Sequence, residues 1–62
     1  MKYEVLSCSP LGTETETFVE GWYPMLDKVL SLELRGHDFA IFDGNGDDIT
    51  TKVVHKLDEG AL

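Results

Sequence analysis

With 62 residues, the chain is long enough for one domain, spanning 1–62, but not for two. Its 12 acidic and 5 basic residues give a net charge of −7. This charge disfavours direct binding to nucleic acid or to a membrane of anionic lipid, because both ligands need positive charge on the protein. A single cysteine excludes an internal disulfide, and no apolar run approaches the ~18 residues that span a bilayer. We therefore expect a small cytoplasmic domain.

The first predicted element is a β-hairpin over residues 2–19. Residues 2–8, KYEVLSC, have the composition of a strand, and a turn that contains Pro and Gly follows them. In residues 13–19, TETETFV, threonine alternates with glutamate. The alternation predicts a second strand with Glu14 and Glu16 on the face opposite to the threonines.

Residues 24–36, PMLDKVLSLELRG, are the predicted helix, because Pro suits a first helical turn, Gly suits the end and good helix formers lie between them. The apolar side chains form an arc of about 200° on a helical wheel, which is wider than the stripe that one core needs. The members of this arc are Trp22, Met25, Leu26, Val29, Leu30, Leu32 and Leu34. The competing interpretation makes residues 28–35 a strand, because leucine alternates there with polar residues.

The last predicted elements are two strands. Residues 38–43, DFAIFD, have the composition of a buried strand, and residues 48–55, DITTKVVH, supply a β-branched partner. The polar tail, residues 57–62, is expected to be frayed. The predicted fold is therefore α+β, a small antiparallel sheet with one helix packed on it in ββαββ order. If residues 28–35 were a strand, the alternative would be a small all-β barrel of five strands.

The stretch DGNGDD begins like a calcium loop, with oxygen-bearing side chains at Asp43, Asn45 and Asp47. Such a loop also needs glycine at its sixth position and glutamate at its twelfth, and these positions hold Asp48 and Val54. Asp-Gly and Asn-Gly between two strand-like segments are strong signals of a hairpin turn. We interpret the stretch as a turn and expect no metal.

Catalytic chemistry has few candidate residues. Cys8, His37 and His55 could supply a nucleophile and bases, or three zinc ligands, but they lack the local spacing of either kind of site. A chain this short also rarely encloses a substrate pocket of several hundred Å³. We expect no enzymatic activity and no cofactor.

Acidic side chains and one aromatic residue are the predicted binding residues. Carboxylates two residues apart on a strand are separated by ~6.6 Å, and phosphates repeat every ~3.4 Å along one DNA strand. An acidic sheet face could therefore imitate the charges of nucleic acid, although a solvated outer face that only keeps the protein soluble explains them too. Tyr23 is the aromatic residue that we expect to be exposed for contact. The predicted partner-binding residues are Glu14, Glu16, Glu20, Tyr23, Asp43, Asp47 and Asp48.

The leading hypothesis is a small acidic, non-enzymatic binding protein that modulates or inhibits a larger protein with a basic surface. Nucleic-acid mimicry against a nucleic-acid-handling enzyme is its sharpest form. At the level of class, the size and the acidity are typical of accessory proteins of phages and plasmids. The alternative hypothesis is a structural or assembly subunit such as a homodimer, because the predicted helix has more apolar surface than one core would cover.

Overall fold

The computed structural model describes residues 1–60 and has two layers, a three-stranded sheet and two helices that lie on one of its faces. The strands are β1 (Lys2–Cys8), β2 (Glu14–Glu20) and β3 (Asp38–Phe42), and the helices are α1 (Trp22–Leu34) and α2 (Thr50–Gly60). The order along the chain is thus ββαβα. This confirms the α+β class and the hairpin of the first two strands.

The sheet has β1 at its centre, with β2 on one side and β3 on the other, and both pairs are antiparallel. Val5 of β1 stands opposite Thr17 of β2 and Ile41 of β3. Because side chains alternate between the two faces of a strand, the odd-numbered residues of all three strands share one face. That face carries the buried side chains and is the one covered by the helices.

The hydrophobic core lies between the sheet and the helices. Its buried side chains are Tyr3, Val5, Met25, Val29, Leu32, Ile41 and Val53. The ring of Tyr3 meets the half-buried ring of Trp22 edge to face, with the ring centres 5.8 Å apart. Full burial of one such aliphatic side chain contributes about 1.5–3 kcal/mol, so these seven residues supply much of the driving force for folding.

α1 confirms the helix that was predicted for the middle of the chain, and the strand interpretation of residues 28–35 is wrong. Met25, Val29 and Leu32, spaced by four and three residues, lie on one side of the helix and are buried. The helix ends at a glycine in the left-handed region, Gly36, with φ of 75°. The N–H of His37 then donates to a carbonyl of the last turn, which is the usual hydrogen bond of a Schellman motif.

The strand predicted for residues 48–55 is wrong, because α2 occupies most of that segment. Ile49, Val53 and Leu57, spaced by four residues, all face the core, as one side of a helix requires. One isolated bridge between Phe42 and residue 48 is the strand-like pairing that the structure shows there. The ββαββ order and the five-stranded barrel are therefore both wrong.

The polar segment at the end of the chain, for which a frayed conformation was predicted, lies partly within α2. Residues 57–60 continue the helix, and Leu57 is half-buried against the core. Residues 61 and 62 lie outside the described part of the chain.

Candidate functional site

The face of the sheet that is turned away from the helices is the candidate functional site, and we call it the outer face. Its residues follow from the register of the three strands: Lys2, Glu4, Leu6, Cys8, Glu14, Glu16, Phe18, Glu20, Asp38, Ala40 and Phe42. Within residues 1–60 no helix lies over these side chains, since α1 and α2 both pack on the opposite face. The outer face is thus a surface that the fold itself leaves uncovered.

Apolar side chains form a band across the outer face. Phe18 and Phe42 stand on either side of Glu4, and Leu6 stands beside Ala40 in the next row. Phe18 is 56 % exposed, and the other apolar members of the band are half-buried. Large apolar groups exposed together on one face are a sign of a contact surface, whereas single scattered ones are not.

Five carboxylates lie on the outer face: four border the apolar band, and the fifth, that of Glu4, stands within it between Phe18 and Phe42. Lys2 is the one cation among the side chains of the outer face. The carboxylates belong to Glu4, Glu14, Glu16, Glu20 and Asp38. The ammonium of Lys2 lies 5.7 Å from the centre of the Phe18 ring, and Glu20 accepts a hydrogen bond of 3.2 Å from the α-ammonium of Met1. The remaining carboxylates give the face a strong negative potential.

Glu4 and Glu16 lie diagonally across β1 and β2, and their carboxyl groups interact. A hydrogen bond between the two side chains, partial burial and mutual repulsion all raise the pKa of Glu4 above its ordinary value. The charged form of Glu4 is therefore disfavoured by its neighbour Glu16. Because Glu4 stands between Phe18 and Phe42, this interaction lies inside the apolar band.

The acidic loop between β3 and α2 turns the chain, as predicted, but the predicted hairpin is wrong because a helix and not a strand follows the turn. One carboxylate oxygen of Asp43 accepts the N–H groups of Asn45 and Asp47 at 2.9 and 3.0 Å. The N–H of Gly46, which has φ of 85°, donates to the carbonyl of Asp43. Asp43 thus stabilises its own turn, and it also borders the outer face, where it lines a shallow depression together with Phe18. Asp47 is exposed within the loop.

Asp48 lies just before α2, and an isolated antiparallel bridge pairs it with Phe42 at the border of the outer face. Its carboxylate accepts the N–H of Thr50 at 2.9 Å and the hydroxyl of Thr50 at 2.7 Å. These two hydrogen bonds lower the pKa of Asp48. The carboxylate therefore has a structural role as a cap of the helix.

Tyr23 is 78 % exposed, as expected, but it lies on α1 in the other layer of the molecule. Two leucines of the same helix, Leu30 and Leu34, are exposed as well. Spacings of seven and four residues place all three side chains on one side of the helix. The predicted binding residues are therefore divided: Glu14, Glu16 and Glu20 share the outer face, and Tyr23 does not.

Sequence reasoning assigned three of the eleven outer-face residues to the binding surface, Glu14, Glu16 and Glu20. The other eight were missed, and among them are two carboxylates and two aromatic rings, those of Glu4, Asp38, Phe18 and Phe42. The alternation of side chains in each strand separates the two faces of that strand. Placing the residues of β3 beside those of β1 and β2 also requires the strand order and the register, which no local pattern specifies.

The residues considered for catalysis or zinc lie on different segments of the chain: Cys8 in β1, His37 between α1 and β3, and His55 in α2. Cys8 is half-buried on the outer face, and its Sγ donates to the carbonyl of Ser9 at 3.6 Å. His55 lies on the exposed side of α2, with Nε2 3.4 Å from Oε1 of Glu59. In the part of the chain that the structure describes, no three His, Cys, Asp or Glu side chains come together as metal ligands would.

Comparisons of the chain with models of protein families, with curated proteins and with solved structures give no match. Neither helix within residues 1–60 has the length and apolar character needed to cross a bilayer. The fold and the outer face together define a class, a small α+β domain with one open acidic and apolar sheet face. Function has to be inferred from the chemistry of that face.

Proposed function

We propose that this chain is a small, acidic, non-enzymatic binding protein that acts in the cytoplasm and modulates a larger protein by placing its outer face on a basic surface. The observation that carries the proposal is the uncovered sheet face, on which apolar side chains lie among five carboxylates. Protein interfaces commonly combine an apolar area with polar groups around it, and here one carboxylate, that of Glu4, also stands inside the apolar area.

The two parts of the outer face would contribute differently to binding. Phe18 and Phe42 supply apolar area whose burial against a partner is favourable by about 25 cal/mol per Å² before the costs of association. The carboxylates supply long-range attraction to a basic surface, which speeds association and weakens as salt is added. A partner that is both basic and partly apolar satisfies both parts.

Nucleic-acid mimicry is the sharper form of this proposal. Glu14 and Glu16 share one side of β2, and residues in this relation are ~6.6 Å apart, close to two phosphate repeats of ~3.4 Å along a DNA strand. A groove that binds nucleic acid would then accept the outer face in its place. The partner would be a nucleic-acid-handling enzyme, and the protein would be an inhibitor of the kind that phages and plasmids carry.

Affinity capture from bacterial lysate tests the proposal. The tagged chain is compared at low and high salt, with and without nuclease, and one stoichiometric protein that survives nuclease and is lost at high salt is expected. In a first variant, Glu14→Gln and Glu16→Gln remove two charges from the outer face. In a matched control, Asp27→Asn and Asp58→Asn remove two charges from exposed positions on the helices.

The outer-face variant should lose the partner, and the control variant should retain it. Equal loss in the two variants would show that only the net charge matters, and the assignment to the outer face would be wrong. If no stoichiometric protein is captured under any condition, the binding function itself is wrong. A captured enzyme whose bound DNA or RNA is displaced by the chain would support mimicry.

A second candidate function, an assembly subunit that forms a homodimer, is supported by α1. Leu30 is 42 % and Leu34 is 79 % exposed, and they share one side of the helix with Tyr23. A helix side of this kind is suited to a second helix. Light scattering in low and high salt tests it: a salt-insensitive dimer that Leu30→Ser together with Leu34→Ser converts to a monomer would favour assembly over the modulator.

A further inference from the structure

The two edges of the sheet differ in whether their backbone groups are paired. At the edge formed by β3, the N–H of Ile41 donates to the hydroxyl of Thr50 at 2.9 Å, and the carbonyl of Ile41 accepts the N–H of Ile49 at 2.9 Å. Beyond the end of β3, the N–H of Asp43 donates to the carbonyl of Asp47. The start of α2 and the loop before it therefore occupy this edge at Ile41 and beyond the end of β3.

The other edge of the sheet is β2, and within residues 1–60 no other segment makes hydrogen bonds to its outward backbone groups. Two hydrogen bonds of 2.8 Å at the ends of the hairpin show which residues of β2 bond to β1. They run from the N–H of Ser9 to the carbonyl of Thr13 and from the N–H of Gly21 to the carbonyl of Met1. In an antiparallel pair, alternate residues bond to the neighbouring strand and the others point away. The outward N–H and C=O groups thus belong to Glu14, Glu16, Phe18 and Glu20.

The same four residues also direct their side chains to the outer face, because register pairs them with Cys8, Leu6, Glu4 and Lys2. A strand added beside β2 would therefore have its own alternate side chains next to three glutamates and one phenylalanine. The other face of the added strand would lie next to Thr15, Thr17 and Val19. The edge thus offers main-chain groups that can bond to an added strand. It also offers side chains that alternate between a mostly acidic face and an uncharged face.

A second copy of this chain does not fit the pattern. In an antiparallel pairing of two β2 strands about a twofold axis, Glu14 would stand opposite Glu20 and Glu16 opposite Phe18, or the strands would shift and put other glutamates side by side. Like charges directly opposite each other destabilise a strand pair. Positive charge at alternate positions turns the same contacts into attractions.

We propose that β2 accepts, as a fourth strand, an extended segment of the partner in which lysine or arginine alternates with uncharged β-forming residues. This inference rests on the proposed function and specifies how part of the acidic face is bound. Main-chain hydrogen bonds to the outward groups of β2 supply affinity, and the alternating cations supply selectivity through Glu14, Glu16 and Glu20.

Two fluorescein-labelled peptides of equal composition test the proposal by fluorescence anisotropy. In the first, lysine alternates with threonine over about nine residues; in the second, the lysines are consecutive. Both have the same charge, so a general electrostatic attraction would bind them equally. Addition to the edge should favour the alternating peptide by about tenfold or more, because only that peptide presents its cations on one face of a strand.

The Glu16→Pro variant separates two contributions to peptide binding, that of the backbone hydrogen bonds and that of the charge. The N–H of Glu16 points away from β1, so Glu16→Pro removes an outward donor without removing a hydrogen bond of the hairpin. Glu16→Gln removes the charge alone and is the matched control. We expect Glu16→Pro to weaken binding of the alternating peptide about tenfold relative to Glu16→Gln.

Amide hydrogen exchange of the unmodified chain keeps the test independent of how well the proline variant folds. The alternating peptide should slow exchange at the amides of Glu14, Glu16, Phe18 and Glu20 and leave the amides between them unchanged. Equal binding of both peptides, or binding without this protection, would overturn the edge inference and leave binding by the outer face intact. Failure of both peptides to bind would also overturn it, whereas the lysate capture alone decides the proposed function.

Discussion

Thr50 connects three segments of the chain through one hydroxyl group. The hydroxyl donates to Asp48 at 2.7 Å and accepts the N–H of Ile41 at 2.9 Å, so the start of α2, the loop before it and β3 are held together. Ile41 is fully buried, and its N–H lies at the boundary between the sheet edge and the helix. A buried N–H group without an acceptor is unfavourable, and water has little access to this position to take the place of the hydroxyl.

Thr50→Val removes the hydroxyl with little change of shape. We expect it to lower the free energy of unfolding by about 1–2 kcal/mol, because the N–H of Ile41 loses its acceptor. Urea denaturation followed by circular dichroism measures the change. Thr51→Val, at an exposed position of the same helical turn, is the control and should change stability by less than about 0.5 kcal/mol. Equal effects of the two substitutions would mean that the hydroxyl bond contributes nothing.

Glu4 gives stability a pH dependence of a definite sign. Its pKa in the folded chain is raised above 4.5 by the hydrogen bond to Glu16, by partial burial and by repulsion. The stabilising contribution is therefore fully present below pH 4.5 and is lost as the pH rises through the raised pKa.

Glu4→Gln should raise the melting temperature at about pH 7, because it removes the repulsion that Glu16 exerts on the Glu4 carboxylate. It should have little effect at about pH 3, because Glu4, with its raised pKa, is already uncharged there. Thermal melts across this range measure the difference. Glu14→Gln, on the same face but outside the pair, is the control. A constant effect of Glu4→Gln at every pH would show that the two carboxyl groups do not interact.

At the scale of the element, α2 shows where local sequence misleads. Four of its first five residues, TTKVV, are β-branched and favour a strand. However, the preference of one residue for strand or helix is worth only a fraction of about 1 kcal/mol. The spacing of Ile49, Val53 and Leu57 places three apolar side chains on one side of a helix, and Asp48 caps its start. Burial of that side outweighs the preferences. α1 was predictable because its composition, its apolar spacing and its terminal glycine all agree.

Leu57 distinguishes the observed helix from the predicted strand. In the helix it packs half-buried against the core, whereas in the predicted order it would lie in a frayed tail. Leu57→Ala should therefore lower the free energy of unfolding by about 1–2 kcal/mol, less than the 2–5 kcal/mol of a fully buried leucine. Urea denaturation measures the loss, with Thr51→Ala as the exposed control. No loss at Leu57 would contradict the packing of α2.

At the scale of the whole molecule, the acidic strand β2 was predictable and the composition of the outer face was not. Alternation of threonine with glutamate is a local signal, and the structure confirms the strand and its two faces. The contribution of Asp38, Ala40 and Phe42 depends on β3 joining β1 after the chain has crossed the sheet through α1. Such a long-range pairing is determined by the packing of the core, which no local pattern reports.

The charges on β2 predict how the oligomeric state responds to acid. Around pH 7 the glutamates should keep two β2 edges apart, and the chain should be a monomer by analytical ultracentrifugation. At about pH 3, below the ordinary pKa of about 4.3 for a glutamate side chain, pairing of two β2 edges should produce a dimer. Glu16→Pro removes an outward donor and should remain monomeric at both pH values. A dimer that forms equally in this variant would have to use another surface.

The covered edge at β3 has a consequence for the size of any assembly. A continuous sheet or a fibril grows only if each unit can be joined at two edges, one for the unit before it and one for the unit after it. Here Ile49 and Thr50 occupy the bonding groups of Ile41 in the middle of β3, so in the part of the chain that the structure describes only β2 offers an unbroken row of bonding groups. Growth through strand pairing therefore ends at the first addition. Addition of this protein therefore ends a growing sheet, and a complex formed through β2 contains one copy of the protein for each partner strand that is bound.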